Sequence, residues 1–463
     1  MNSNTAIELV GRRQFLTGAT GALLAGSAAS LSARSYMRVP GANDRIRIAQ
    51  LGCGGRSRGH VRMVHMAQQK APVEVVAVCD IWSIAREGRA KQVKDLFGGD
   101  PKAYKYSEQM LEAGDFDGVM IATGDHQHAK LCTEVVRAGK DCYVEKPFAN
   151  VLEEAKTARA TVKASKQVVQ MGTQHRSQPY PLAVRDLIAS GRIGEIIRIT
   201  QEWNVNQPRW RHIPKFDDGR NPTLLKEEDT DWKRWLLGKP DRPFDPHVYL
   251  EFRLYRDFSS GIFDQWLSHG SDLVHLWTGE THPVSAVSTG GIFAWKDGRE
   301  NPDTVTVSFV YPKGFLYTYS TTFGNSYRSD SRIQGREGTI ENYGGEGASL
   351  FLTTKEGGRQ EFDPEGNAHP RYTAPPGMGP AQDQAEILKL PNTREPDSLG
   401  PDDDEVDHLM NWLNAMRDRK QPNANVDHGF SHSIACIMAA ESYWSGKRLY
   451  WDQTKEEIVE TLV

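Results

Sequence analysis

The chain has 463 residues, 38% of them hydrophobic and 25% charged, which is ample for a buried core and too long for one compact domain. Its net charge is −4 and no lysine or arginine run lies beyond the extreme amino terminus, which argues against nucleic acid as a partner. Five scattered cysteines exclude a disulfide framework, and all five read as reduced.

The first forty residues read as a targeting segment and linker. Gly11-Arg12-Arg13-Gln14-Phe15-Leu16-Thr17 is followed by the small, uncharged run Gly18–Leu31, which is too short to span a membrane stably and ends in Ala28-Ala29-Ser30, a plausible cleavage neighbourhood. Paired arginines before Phe-Leu resemble a twin-arginine export signal, which carries folded proteins. A periplasmic or otherwise exported protein is therefore expected, with the twin-arginine machinery as a partner. No other apolar run is long enough to span a bilayer, so no stable membrane insertion is expected after processing.

Residues 41–173 read as the first domain. Short apolar runs alternate with helical patterns: strands at Ile46–Leu51, Val73–Cys79, Gly118–Thr123, Asp141–Glu145 and Val168–Gly172, and helices from about Gly59, then at Ile84–Leu96, Ser107–Ala113, Ala129–Ala138 and Glu153–Ala164. This rhythm predicts a parallel, doubly wound sheet with right-handed crossovers. Residues 174–452 read as a second, α+β domain with an open, mainly antiparallel sheet. A helix at Pro181–Ser190 precedes β-branched alternation in Glu195–Asn204, Val284–Gly290, Thr304–Tyr311, Leu316–Thr322 and Gly338–Asn342. Residues 207–250, rich in Trp, Pro and charge, read as an insertion lining a cleft. Asn367–Pro401 reads as a surface loop, Val406–Arg417 and His432–Ser445 as amphipathic helices able to pack on the first domain, Leu449–Asp452 as a final anchor, and 453–463 as a tail. Trp203, Trp210, Trp232, Trp235, Trp266 and Trp277 crowd the second domain, read either as packing between domains or as a surface that stacks on carbohydrate.

Gly52-Cys53-Gly54 after the first strand gives the tight turn and close backbone approach that a pyrophosphate needs at a helix amino terminus. A strict third glycine is missing: Ser57 stands there, between Gly55 and Gly59. Asp80 ends the second strand, where a carboxylate accepts a hydrogen bond from the adenosine ribose and repels a 2′-phosphate, which argues for NAD over NADP. Arg56 and Arg58 leave a 2′-phosphate open, although their loop suits the pyrophosphate better. Beyond the third main strand, Thr123-Gly124-Asp125-His126-Gln127-His128 reads as a loop over the ribose and nicotinamide. Two histidines without a thiolate or third histidine nearby argue against a metal, and none is expected.

These motifs resemble the Gfo/Idh/MocA family, the relatives of glucose–fructose oxidoreductase and inositol dehydrogenase. The resemblance is carried by L-G-C-G-G-R-S-R-G-H (51–60), V-C-D (78–80), I-A-T-G-D-H-Q-H (121–128), E-K-P (145–147), G-T-Q-H-R (172–176) and Q-W-L-S-H-G-S-D (265–272), with Glu-Lys-Pro the most specific. It implies an amino-terminal Rossmann domain, a carboxy-terminal open sheet often used for oligomerisation (a homodimer or homotetramer), and hydride transfer at a secondary hydroxyl. It also implies cofactor contacts from the glycine loop (Gly52, Gly54, Gly55, Arg56, Ser57, Arg58), Asp80, Thr123, His126, His128, Glu145, Lys146 and Gln174. Lys146 would stabilise the reacting oxygen and His269 would accept its proton. A cis or strained Lys-Pro peptide would hold the lysine in place. Many relatives carry Asp four residues before that histidine; here it is Gln265, which carries no proton. Gln265 and His269 are four residues apart and Asp272 three further on, so all three are expected to share one helix face, where Asp272 or Asp264 would orient the imidazole. His175, Arg176, Trp203, Trp210, Arg211 and Asp264 are expected to face the substrate, with Tyr180 a weaker candidate.

Three functions follow from this reading. The first is an exported NAD-dependent oxidoreductase of a sugar, polyol or glycoside, with a tightly held cofactor because no free pool exists outside the cytoplasm. The second is a glycoside-cleaving enzyme that oxidises, eliminates and re-reduces. The third is a non-catalytic dinucleotide-binding protein, for which Gln265 is the best support.

Overall fold

A computed structural model describes residues 44–207, 225–327, 330–341, 348–352, 385–388 and 403–461. Six strands form the first sheet: β1 (Ile46–Leu51), β2 (Val73–Cys79), β3 (Lys102–Tyr104), β4 (Gly118–Ile121), β5 (Asp141–Val144) and β6 (Val169–Met171). Their order is β3-β2-β1-β4-β5-β6, and every pairing is parallel. Strands β4, β5 and β6 are buried at every residue, because helices cover both faces of a parallel sheet. The connecting helices are α1 (Gly55–Ala67), α2 (Ser83–Phe97), α3 (Ser107–Ala113), α4 (His128–Arg137) and α5 (Leu152–Lys163). The first begins four residues earlier than its pattern suggests, because Gly54 in extended conformation starts it without a side-chain cap. Strand β3, three residues long with Lys102 and Ala103 exposed, carries too little apolar pattern to be read from sequence.

After α6 (Pro179–Ala189) the chain enters a second sheet at β7 (Ile196–Asn204). Two short helices, α7 (Trp232–Leu236) and α8 (Pro246–Leu250), lie in the region expected to be an insertion. The segment expected as one helix is two, α9 (Ile262–Gln265) and α10 (Leu267–Thr278). The break falls at Trp266, whose φ of −117° departs from regular helix geometry and whose indole stacks on Trp203 with ring centroids 5.0 Å apart and planes 9° from parallel. The sheet continues with β8 (Ser285–Gly291), β9 (Thr304–Val310), β10 (Leu316–Thr322), β11 (Asp330–Gly335), β12 (Gly338–Glu341), β13 (Ala348–Leu352) and β14 (Ala385–Leu388). Two helices follow, α11 (Asp403–Asp418) and α12 (Val426–Ser445), then β15 (Leu449–Asp452) and β16 (Glu457–Val459). Among the described residues this sheet has the order β14-β13-β12-β11-β7-β10-β9-β8-β15-β16 and is antiparallel except where β10 meets β7. The expected tail at 453–463 therefore contains an edge strand, with Tyr450 opposite Val459.

The two domains are joined through side chains as well as through the chain. Helix α11 lays Leu409, Trp412 and Leu413 on the face of the first sheet that carries Ile46, Ile48, Met120 and Tyr143. A Cβ on Gly118 would fall 2.9 Å from the Trp412 ring, so β4 needs a glycine where that indole lies. Helix α12 buries most of its length against α5, α10 and β8, so one core runs from the parallel sheet into the antiparallel one. Among the described residues no helix is long and apolar enough to cross a membrane.

Candidate active site

The carboxyl ends of the parallel strands open on a cavity of about 1060 Å³, lined by the loop after β1, the end of β2 and the loop after β4. At its centre Gly52 has φ of +86°, and a Cβ there would sit 2.4 Å from the Ala122 carbonyl oxygen, so no other residue fits the turn. Gly54 and Gly55 are exposed with open space above them, at the amino end of a helix whose first turn has no acidic residue. A bare helix amino terminus of this kind, facing a cavity, fits an anionic diphosphate. The Thr123 hydroxyl lines the same cavity, buried and without a hydrogen-bond partner among the described residues.

Asp80 pins this turn. Its two carboxylate oxygens accept from the backbone N–H of Cys53 at 2.6 Å and of Trp82 at 2.8 Å, and burial raises its pKa against those two donors. Each oxygen keeps a further lone pair for a ribose hydroxyl. Arg56, Arg58 and Arg62 line the cavity, and Arg56 pairs with Glu145 at 2.6 Å and Glu405 at 2.9 Å. Ser57 is fully buried. It donates to the Gly54 carbonyl at 2.7 Å and accepts from Arg89, which also donates to the carbonyls of Cys53 and Gly54, so it closes the loop rather than facing the cavity.

Three other expected cofactor residues have structural partners. His126 is wedged against Trp235 and Phe258, with Nε2 2.9 Å from the Trp235 carbonyl. His128 Nδ1 lies 2.7 Å from the carbonyl of Pro147, the second residue of the cis Lys146–Pro147 peptide. Glu145 accepts from Arg56 and lies 2.9 Å from His60 Nε2; burial opposes its ionisation, but those two partners hold its pKa well below the usual range. None of the three lines the cavity. Gln174 occupies the one-turn helix Gln174–Ser177, its Oε1 buried without a partner among the described residues.

Past the cavity lies a second, closed region. Lys146, buried, donates from Nζ to the Gln265 carbonyl at 2.7 Å and to Gln265 Oε1 at 3.2 Å. Gln265 Nε2 donates to Asp125 Oδ2 at 2.5 Å. His269 is buried with Nδ1 unpartnered among the described residues, and burial, then Lys146, then His175 push its pKa well below the usual value. The His175 and His269 rings meet edge to face, centroids 5.1 Å apart. Asp264 is fully buried, so it is closed off from a substrate, and its pKa is pushed up to about 7, chiefly by burial and then by Asp125.

Asp272 and Arg176 correct two expectations. Asp272 does not orient His269. Both its oxygens take the Arg176 Nε at 2.8 Å, and the pair is buried, so neither residue faces a substrate. The pair has another consequence: it ties the turn that carries His175 to the helix that carries His269. Trp203 remains partly exposed, 38%, on its stack with Trp266. Trp210 and Arg211 lie outside the described residues.

Sequence reasoning missed two features. Asp125 lay within a quoted motif, but nothing local marked its partners Arg253, Ser259 and Gln265. The second is a strap across the cavity. Tyr106 donates to Asp231 at 2.9 Å and Arg234 pairs with Glu108 on one side; on the other, Gln127 donates to the Trp235 carbonyl at 2.7 Å and Lys130 to the Leu237 carbonyl at 3.0 Å. Trp235, Leu237, Tyr249 and Phe252 consequently form a wall of the nucleotide cavity.

Residues 46–173, which hold the first sheet and its helices, match the model of the oxidoreductase family with an NAD-binding Rossmann fold, GFO_IDH_MocA. Among individual proteins, the chain is 30% identical over 201 residues to the rhizopine catabolism protein MocA of Rhizobium meliloti, covering 43% of this chain and 60% of that one. It is 25% identical over 316 residues to the inositol 2-dehydrogenase of the same species (strain 1021), covering 67% and 80%. It spans 54% of a second inositol 2-dehydrogenase, that of Saccharopolyspora erythraea. The fold of the two domains together is that of levoglucosan dehydrogenase solved in complex with NADH, with a TM-score of 0.65, 15% identity, and coverage of 88% of this chain and all of that one.

Proposed function

We propose that this protein is an NAD-dependent oxidoreductase acting on a secondary hydroxyl of a sugar, polyol or glycoside. One observation carries the reading: a buried lysine ammonium and an uncharged imidazole converge beside a cavity that fits a dinucleotide. Gly52, Gly54 and Gly55 would hold the pyrophosphate, with Asp80 and Thr123 toward the riboses. When bound, the nicotinamide supplies the hydride acceptor. Lys146 stabilises the negative charge that develops on the substrate oxygen, and burial strengthens that interaction. His269, whose pKa burial holds well below the usual value, is the uncharged imidazole that takes the hydroxyl proton. The inositol and levoglucosan dehydrogenases among the similar proteins support a ring-shaped polyol or sugar as substrate.

A second reading, glycoside cleavage by oxidation, elimination and re-reduction, is favoured by the pairing of His175 with His269. Elimination removes a C2 hydrogen, a second proton transfer for which one imidazole is too few. The Arg12-Arg13 motif supports export by the twin-arginine route to the periplasm, after the cofactor is loaded. The outer face of the second sheet, where Val287, Val310 and Leu316 are exposed, supports a homodimer or homotetramer.

The test is a screen of free polyols, sugars and aryl glycosides against dialysed, NAD-loaded protein, following reduced nicotinamide absorbance and released aglycone together. Steady NADH from a polyol or sugar supports the dehydrogenase, whereas aglycone release without net NADH supports cleavage. Turnover that survives Lys146→Ala unchanged sinks both readings.

A further inference from the structure

The Gln265 amide lies between two ions. Its carbonyl oxygen takes a hydrogen bond from the Lys146 ammonium at 3.2 Å, and its N–H donates to Asp125 Oδ2 at 2.5 Å. Only one of the two amide orientations satisfies both ions, because an ammonium cannot accept and a carboxylate cannot donate. Asp125 is fully buried and also takes the Ser259 hydroxyl at 2.7 Å and the Arg253 guanidinium at 3.1 Å. It follows Gly124, which lines the nucleotide cavity, as Arg253 does.

We infer that Asp125 is a positioning residue that aligns the Lys146 ammonium through the Gln265 amide, so that the negative charge serving the catalytic lysine lies on the loop after β4 and not on the helix that bears His269. A carboxylate at position 265 would stand against Asp125 at hydrogen-bond distance and next to Asp264, and buried like charges at that separation oppose each other. An amide carries the dipole across the gap without a second charge. It also polarises in one direction: the carboxylate strengthens the N–H arm, and the carbonyl arm strengthens toward the ammonium. The ionisable groups that also interact with Lys146 include Asp264, His269, His432 and the Cys436 thiol, with Glu145 its chain neighbour.

The inference rests on the reading of Lys146 as the cation of the reacting oxygen, and its test needs no substrate. The full-length, NAD-loaded protein is labelled with acetic anhydride at neutral pH, and acetylation of Lys146 is followed by peptide mass spectrometry. Asp125→Asn frees the amide to turn and removes the charge behind it, so Lys146 should be labelled about tenfold faster, the equivalent of about one pKa unit. Gln265→Glu added to Asp125→Asn returns a carboxylate to the lysine and should bring the rate back to within about twofold of the parent. Unchanged labelling in Asp125→Asn, whatever happens to its melting temperature, would overturn the inference and leave Asp125 as a structural partner of Arg253. If Asp125→Asn does not accumulate as folded protein, Gln265→Met cuts the same relay, with the same expected rise and the same overturning result. A shifted Lys146 rate together with a failed substrate screen would refute the functional reading alone.

Discussion

The two halves of the candidate site are built in opposite ways. The nucleotide end is an open cavity made by backbone: a left-handed glycine, two glycines without neighbours and a helix amino terminus, all within a few consecutive residues. The other end is closed and made by side chains. Lys146, Asp125, Gln265, His269, His175, Arg176 and Asp272 come from four separate segments, all but His175 are buried, and each takes its place from a partner far away in sequence. The difference shows where each half is vulnerable. The first fails when backbone geometry is disturbed, and the second when a charge loses its counterpart.

Gly52→Ala would break the open half. The new Cβ would overlap the Ala122 carbonyl at a φ that alanine rarely adopts, so the loss should be about 3 kcal/mol or more of stability, with NAD affinity down by about a hundredfold. Urea unfolding and NAD titration by tryptophan fluorescence would measure both, and an unchanged unfolding midpoint would contradict this account of the turn.

Asp264→Asn probes the closed half. Burial holds the folded pKa of Asp264 near 7, above its ordinary 3.8, so the folded protein keeps a proton that the unfolded chain releases. Its contribution to stability is therefore most favourable below about pH 4 and declines as pH rises to about 7, by up to about 4 kcal/mol. Asparagine removes that decline. The variant should gain on the parent steadily between pH 4 and pH 7 in parallel urea titrations, and a difference independent of pH would show that Asp264 is ionised in the fold.

The smallest effect should come from the strap across the open half. Tyr106→Phe combined with Arg234→Gln removes the Asp231 and Glu108 contacts on one side of the cavity. The ion pair is half-exposed, so stability should change by less than about 1 kcal/mol. NAD should nevertheless dissociate about tenfold faster in stopped-flow displacement. An unchanged off-rate would mean that the strap does not govern exchange.

The same division separates what could be read early from what could not. The glycine turn, Asp80 and the Glu-Lys-Pro motif announce a nucleotide domain because their chemistry is local: backbone N–H groups and a turn depend on consecutive residues. The buried strands of the first sheet were legible for a related reason, since apolar runs bounded by glycine and polar residues carry their own signal. Strand β16 and the helix break at Trp266 were not, because a neighbouring strand and a stacked indole decide them. The roles of Asp272, Arg176, His126 and His128 could not be read either. A carboxylate three residues from a histidine looks like its partner until an arginine about a hundred residues upstream takes both its oxygens.

Sequence alone determined the class of the first domain, the lysine at its edge and the glycine that no other residue replaces, because each depends on chain geometry over a few residues. Tertiary structure alone decided which carboxylate serves which cation. Inside a low-dielectric core a charge is stable only beside its counterpart, and the fold, not the spacing along the chain, chooses the neighbour.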